Sequence, residues 1–592
     1  MRKRWLSVAA LAAAGSMALA SCGGGGGGGG GGAEVEFNQG LTEVVNPSEE
    51  PGGTLRFAMS SDIESTDPGN TYYGYNWNFT RFYARTVMAY TSEPGTASTQ
   101  LQPDLAAAPP EVSEDGLTWT VELQQGLRYE NGEEIVAEDI KYAIARSNYG
   151  EARLPNGPTY FAQLLADSED YEGPYAEGAE DDPLAGFDGI ETPDDYTLVF
   201  HLNEPFSDFP YLMMIPQTAP VPAEEDTGEQ YQANVVSSGP YMFEDSYQPG
   251  EQFNMIRNPE WDPTTDPVRS ALPDRIEFTP NIDQNDIDQQ LMNGDVDIDL
   301  GGTGLGPAQK GTALNDERQR PFLDNGETGA LRYVAVNTVV EPLDNVACRR
   351  AVQYAANHDA LQRAWGGETG GAIPTQIIPP AIPGHDPSIN PYPAGEDNTG
   401  DLEAAQAQLE ECGQPDGFEM GLGVRSDRPA DVATAEALQE SLARVGIETE
   451  IMGYPADTYT NTQAGSPDFV HENNMGLMVY GWIPDWPTGY GFMSSIVDGD
   501  AIVPAGNSNL PELDDPEINA LFDEVATVTD PEEQAAIYTQ IDQLVMDSAA
   551  ILPVVFERSV LYRPERLTNV YFHSGYAMYD YMSIGIDPDA QE

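Results

Sequence analysis

The chain has 592 residues, 40% of them hydrophobic, and a formal net charge of −72 at pH 7. That length provides for roughly two to four structural units with ordinary cores. The charge excludes a nucleic-acid binder, because phosphate recognition needs a basic surface, and the only lysines are Lys3, Lys141 and Lys310.

Arg2, Lys3 and Arg4 open the chain, and residues 5–19 are apolar or small. That stretch is too short for a stable spanning helix and has the pattern of a signal peptide. Leu19-Ala20-Ser21-Cys22 follows, then ten glycines. The arrangement resembles a bacterial lipobox. Residues 1–21 are then a lipoprotein signal peptide, and Cys22 is lipidated on sulfur. An ordinary secretion signal with a chance cysteine is the competing reading. Polyglycine has no side chain to pack and loses much entropy on ordering, so residues 22–53 read as a tether. The expected location is the extracytoplasmic face of a membrane, held by a lipid anchor. Cys348 and Cys412 then remain in an oxidising compartment. They can form one disulfide, two buried free thiols being the alternative.

Along the chain, 54–59 alternates and reads as a first strand. Asp67-Pro68-Gly69-Asn70 is a turn, and the aromatic run that follows is partly a helix with a buried face. Residues 117–123 alternate strictly, as a half-buried strand does, and Glu130-Asn131-Gly132-Glu133 supplies a hairpin-type turn. A helix is predicted from Ala137. Residues 165–189 are rich in Asp, Glu and Gly and read as a surface insertion. Strands follow at 196–202, 239–243, 252–257, 276–278, 330–337, 447–451, 477–480 and 551–556. Helices are predicted at 282–292, 346–356, 402–409, 433–445, 518–525 and 532–546. The Pro/Gly/Asn-rich 371–400 reads as a long surface loop. This mixture is an α/β protein with several lobes.

Several segments in order resemble the family 5 extracellular solute-binding proteins of ABC importers, which include dipeptide and oligopeptide receptors. They begin with Gln102-Pro103-Asp104-Leu105-Ala106, Glu114-Asp115-Gly116-Leu117-Thr118-Trp119 and Ser238-Gly239-Pro240-Tyr241. They continue with Asn258-Pro259-Glu260-Trp261, Asn293-Gly294-Asp295-Val296-Asp297, Arg349-Arg350-Ala351-Val352 and Gly481-Trp482-Ile483-Pro484-Asp485. The resemblance implies a two-lobed, periplasmic-binding-protein-like α/β fold of class II type with three domains. Domain I would be discontinuous (54–85, 235–335 and 552–592), with domain II at 86–234 and domain III at 336–551. Both cysteines would fall in domain III, clear of the hinge.

In the peptide-binding members an aspartate in the Gly-Trp-x-x-Asp segment pairs with the ligand's α-ammonium. Asp485 holds that position, and the resemblance implies that role for it. An enclosed ammonium loses its water, and a carboxylate must replace it. A solvated turn carboxylate beside Pro484 and Pro487 is the competing reading. Gly481 and Ile483 would offer backbone groups to an extended ligand. Trp482 and Trp486 would wall side-chain pockets or pack in a core. Tyr72 and Tyr75 are candidates from the opposite lobe, and Asn507 and Asn509 line the rim or cap their own loop. The partners implied are a peptide ligand and the membrane subunits of an ABC permease, with the receptor a monomer. No enzyme activity, cofactor or metal is expected. Asp295-x-Asp297-x-Asp299 begins like a calcium loop but has Leu300 and Gly306 where Gly and Glu belong. The five histidines are scattered, and no Gly-x-Ser-x-Gly elbow is present. An oligosaccharide receptor of the same family is the alternative function. A secreted hydrolase and a ligand-free surface lipoprotein are the rivals from other classes.

Self-repulsion at this charge strains a compact body unless salt screens it. We expect the melting temperature to climb from low to molar NaCl; a flat curve contradicts the screening argument.

Overall fold

The computed structural model describes residues 36–590, apart from 151, 152, 167, 169 and 180. The expected signal peptide, Cys22 and the glycine run lie outside the described residues. Residues 36–53, expected to prolong the tether, are instead docked on the body. Asn38 N–H donates to Leu323 O (2.9 Å), Val45 N–H to Val570 O (2.8 Å) and Ser48 N–H to Asn569 Oδ1 (2.8 Å). Val45 supplies a buried side chain that a polar reading of this stretch passes over.

Thr54–Ala58 is an inner strand of a five-stranded sheet. Its parallel neighbours are Ile298–Asp299 and Arg275–Thr279, and the sheet continues antiparallel through Phe253–Arg257 to Tyr241–Phe243. Alternation turns Leu55 and Phe57 inward. Phe57 meets Phe79 and Tyr581 edge-to-face at 5.2 and 5.1 Å, an arrangement that aromatic quadrupoles favour. A second, antiparallel sheet runs Glu111–Val112, Thr118–Glu122, Thr197–His201, Ile190–Asp194. Trp119 and Val121 pair with Phe200 and Leu198 and face the helix Ala137–Asn148. The two sheets share one core, closed by C-terminal residues 561–586; this body is the first lobe. The segment 165–189 is tied into it: Phe187 is buried, and Tyr175 Oη donates to Asp226 (2.6 Å).

The second lobe is built on a six-stranded mixed sheet in the order Gly371–Ala372, Ile551–Tyr562, Leu323–Val336, Leu477–Trp482, Glu419–Arg425, Glu448–Tyr454. Helices Val346–Ala355, Pro429–Ala443, Pro516–Val525 and Pro531–Ser548 cover it. Residues 371–400 are irregular beyond the short strand Gly371–Ala372, but Ile377, Ile378, Ile382 and Ile389 are buried in this core, so the first part of the stretch is packed and its end, at 395–398, is exposed.

Leu323–Val336 and Ile551–Tyr562 join the lobes. They pair antiparallel from Leu323↔Tyr562 to Ala335↔Ile551, with an irregularity between Glu327 and Leu331. Leu331–Val336 and Ile551–Phe556 belong to the second core, whereas Leu323, Val560 and Tyr562 pack with Ala58 and Ile287 on the first-lobe side. The expected boundaries at 335/336 and 551/552 thus fall inside the second core, and the passage between lobes lies near 328–330 and 557–559. Cys348 and Cys412 form a disulfide between the helices Val346–Ala355 and Leu402–Glu411.

That disulfide closes 64 residues of chain. Replacing both cysteines by alanine should lower the unfolding free energy by about 2–4 kcal/mol through restored freedom of the unfolded chain. An unchanged urea midpoint contradicts this.

Candidate ligand-binding site between the lobes

The strand Leu477–Trp482 is buried for four residues and half-buried for its last two. Leu331–Val334 pairs it on one edge, from Trp482 to Val479. On the other edge Glu419–Arg425 meets only Leu477 and Met478. Among the described residues, Val479–Trp482 therefore has one edge without a strand partner. The chain then turns through Ile483, 54% exposed, and Pro484. Thr488 caps the next helix, Gly489–Val497, by accepting from Gly491 N–H (3.0 Å).

Asp485 sits in that turn and faces the first lobe. Tyr72 Oη donates to its Oδ1 at 2.6 Å, and the Tyr160 hydroxyl lies near enough to the carboxylate to favour its ionised form. Loss of water pushes the Asp485 pKa up, and the two hydroxyls partly offset this. No Lys, Arg or His forms an ion pair with Asp485 among the described residues. The Tyr72 loop is itself held. Glu64 accepts from Tyr72 N–H (2.8 Å) and Thr71 Oγ1 (2.9 Å), and the Asp67 side chain caps Pro68–Asn70.

Beside this cluster lies a cleft of about 600 Å³, within the size range of small-ligand sites. Tyr73, Tyr75 and Lys310 line it from the first lobe and Trp365 and Ile483 from the second. Tyr73 and Tyr75 are stacked at 5.6 Å. The structure thus brings together Asp485, Tyr72, Tyr75, Ile483 and the strand end carrying Gly481 and Trp482. Trp482 packs against the second core.

Trp486 is not a wall of this cleft. It is buried in the first lobe's core, edge-on to Tyr160 and Phe206 at 5.6 and 5.9 Å, because its indole N–H finds the Asp208 carboxylate at 2.7 Å. Asn509 is not on the rim either. Its Nδ2 donates to Asp498 O and Leu513 O, and its Oδ1 accepts from Leu513 N–H, so it satisfies the backbone of an irregular loop. Asn507 is buried in the same loop and donates to Asn509 O (2.7 Å). Tyr160 and Asp208 carried no signal in the sequence, since each acts through a partner hundreds of residues away.

A family model described as bacterial extracellular solute-binding proteins, family 5, middle part, matches residues 100–502, more than half of the chain. The chain belongs to that family. This solute-binding protein is 25% identical to heme-binding protein A of Haemophilus influenzae over 522 residues, covering 84% of this chain and 85% of that one. It is 24% identical to the glutathione-binding protein GsiB of Salmonella paratyphi A over 469 residues, covering 77% and 81%. Among solved structures, it is similar to clavulanic acid biosynthesis oligopeptide binding protein 2, with TM-score 0.88 and 43% identity over 93% of this chain and 98% of that one. These relatives are binding proteins, and the fold is the two-lobed one of the family.

The Tyr72 and Tyr160 hydroxyls stabilise the ionised form of Asp485. In the solute-binding protein with Tyr72→Phe and Tyr160→Phe, carbon NMR should show the Asp485 carboxyl titrating at a still higher pH. A fall or no change contradicts that stabilising role of the two hydroxyls.

Proposed function

We propose that this protein captures peptides between its lobes and delivers them to an ABC permease. The ligand's α-ammonium pairs with Asp485. One observation carries the reading: a partly desolvated carboxylate stands between the lobes, bonded by a neutral tyrosine hydroxyl and, among the described residues, in no ion pair. Removing a carboxylate from water without a counter-charge is costly, and a cationic guest removes that cost. The unpaired edge of Val479–Trp482 suits an extended peptide backbone, with Gly481 and Ile483 offering main-chain groups as in strand addition. Tyr72, Tyr73 and Tyr75 supply the opposing wall. The similarity to an oligopeptide-binding protein supports the same ligand class. The burial of Trp486 in a core removes one of the two stacking surfaces on which a sugar-binding reading depends.

In this account binding is non-catalytic. The protein works as a monomer, anchored outside the cell membrane by lipid on Cys22. The three-domain division is kept, with domain I discontinuous (54–85, a segment from 235 and the C-terminal segment), domain II at 86–234 and domain III between the two crossings. The crossings expected at 335/336 and 551/552 move to about 328–330 and 557–559, where the cores change. Closure is favoured because a ligand touches both lobes only in the closed state.

Asp485→Ala should weaken binding of the best ligand from a library of tri- to pentapeptides by about 2–5 kcal/mol, the range for stranding a buried charge. Wild-type affinity should also fall on acidification through the raised Asp485 pKa, since protonation removes the charge that holds the ammonium. Calorimetry giving equal affinity for the variant and the wild type removes Asp485 from the site.

A further inference from the structure

A second contact joins the lobes and needs no ligand. Phe206, Ser207 and Asp208 precede the short first-lobe helix Phe209–Leu212, and all three touch the second lobe. Asp208 is 2% exposed. Its Oδ2 accepts from the Trp486 indole N–H at 2.7 Å and from the Thr488 hydroxyl. Ser207 N–H donates to Ala526 O (2.9 Å), Ser207 Oγ to Val525 O (3.0 Å), and Gln534 Nε2 donates to Ser207 Oγ (3.0 Å). Phe206 lies edge-on to Trp486 and to Tyr490, at 5.9 and 5.4 Å. Three of these second-lobe groups end or cap an element: Thr488 caps Gly489–Val497, and Val525 closes the helix Pro516–Val525, with Ala526 as its C-cap.

The two residues that Asp208 holds lie immediately beyond Asp485. Trp486 is its neighbour and Thr488 fixes the far end of the same turn. A carboxylate in one lobe thereby sets the conformation of the loop that carries the carboxylate of the other. Both donors converge on one oxygen of Asp208, so an amide oxygen placed there accepts the same two bonds. An alanine leaves two buried donors, an indole N–H and a hydroxyl, without a partner, which costs more than the hydrogen bonds themselves.

We propose that Asp208 is a positioning residue of the binding site and a latch: through Trp486 and Thr488 it orients the Asp485 turn and holds the lobes closed without ligand. The chain then samples its closed form unliganded, and a guest completes a surface already assembled. Where closure is only partly populated, apparent affinity falls by the populated fraction, so the latch sets how much of the intrinsic affinity is realised. The proposal concerns the same site as the peptide reading but stands on contacts within the chain.

The test is made on ligand-free protein, which keeps it separate from the identity of the ligand. Spin labels at Glu114→Cys in the first lobe and Glu440→Cys in the second, both exposed, report the distance between lobes by pulsed EPR. The expected result is a dominant short distance in the otherwise wild-type chain, its loss in Asp208→Ala, and its return in Asp208→Asn. Trp486→Phe keeps the ring and removes only the indole N–H, and should give an intermediate population. As the positioning readout, the Asp485 carboxyl should titrate lower in Asp208→Ala than in the wild type, toward the ordinary aspartate range, and stay raised in Asp208→Asn. If Asp208→Ala does not fold, the comparison of Trp486→Phe with wild type decides. A distance distribution unchanged in these variants overturns the latch, whether or not peptides bind.

Discussion

One constraint organises the site: Asp485 is half-buried between two lobes, partly desolvated and met by a tyrosine hydroxyl, with no ion-pair partner among the described residues. Hydroxyl donors lower the cost of that burial without cancelling the charge. The field at Asp485 is therefore unbalanced in the ligand-free protein, and a positive guest is the simplest group to balance it. In the proposed function, a preference of the cleft for a cationic guest follows from this arrangement. The fold serves to make it tolerable, through a rigid strand behind the aspartate, a capped helix after it and a pinned tyrosine loop opposite.

The elements that hold the aspartate come from both lobes. Leu477–Trp482 is anchored by the long strand Leu323–Val336, which itself passes between the lobes beside Ile551–Tyr562. Any rotation about that pair moves Asp485 relative to Tyr72. The salt bridges Arg332–Glu557 and Arg558–Glu327, each 2.8 Å, lie across the same pair where its register slips. The passage between lobes is thus braced by charge pairing within two strands on either side of the irregular stretch at Thr328–Ala330.

Much of this was legible in the sequence. Alternation marked Thr54–Ala58 and Thr118–Glu122, and helical spacing marked Val346–Ala355 and Pro531–Ser548, because burying one face of an element leaves a periodic trace. The Gly-Trp-x-x-Asp segment located Asp485 and Ile483. The sequence was silent where function depends on long-range pairing. Tyr160 and Asp208 sit in unremarkable contexts and acquire meaning only when the lobes meet. Trp486 looked like a pocket wall because a tryptophan beside a ligand aspartate suggests stacking; its indole N–H instead found a buried acceptor in the other lobe. Asn509 looked like a rim residue, but the backbone around it lacks regular partners and claims its amide. The docking of 36–53 was hidden because its hydrogen bonds are mostly to backbone, which composition does not encode.

The surrounding charge sharpens the account. A chain with net charge −72 presents to a cationic ligand many shallow attractions at its surface, all screened by salt, and at the cleft the partly desolvated Asp485 carboxylate, which salt screens much less. The most direct test varies the ligand and leaves the protein alone. Calorimetry in physiological salt should compare a bound peptide with its N-acetylated twin, identical except for the ammonium. The account predicts that acetylation weakens binding by about 2 kcal/mol or more, roughly thirtyfold. Equal affinities for the two peptides would contradict it.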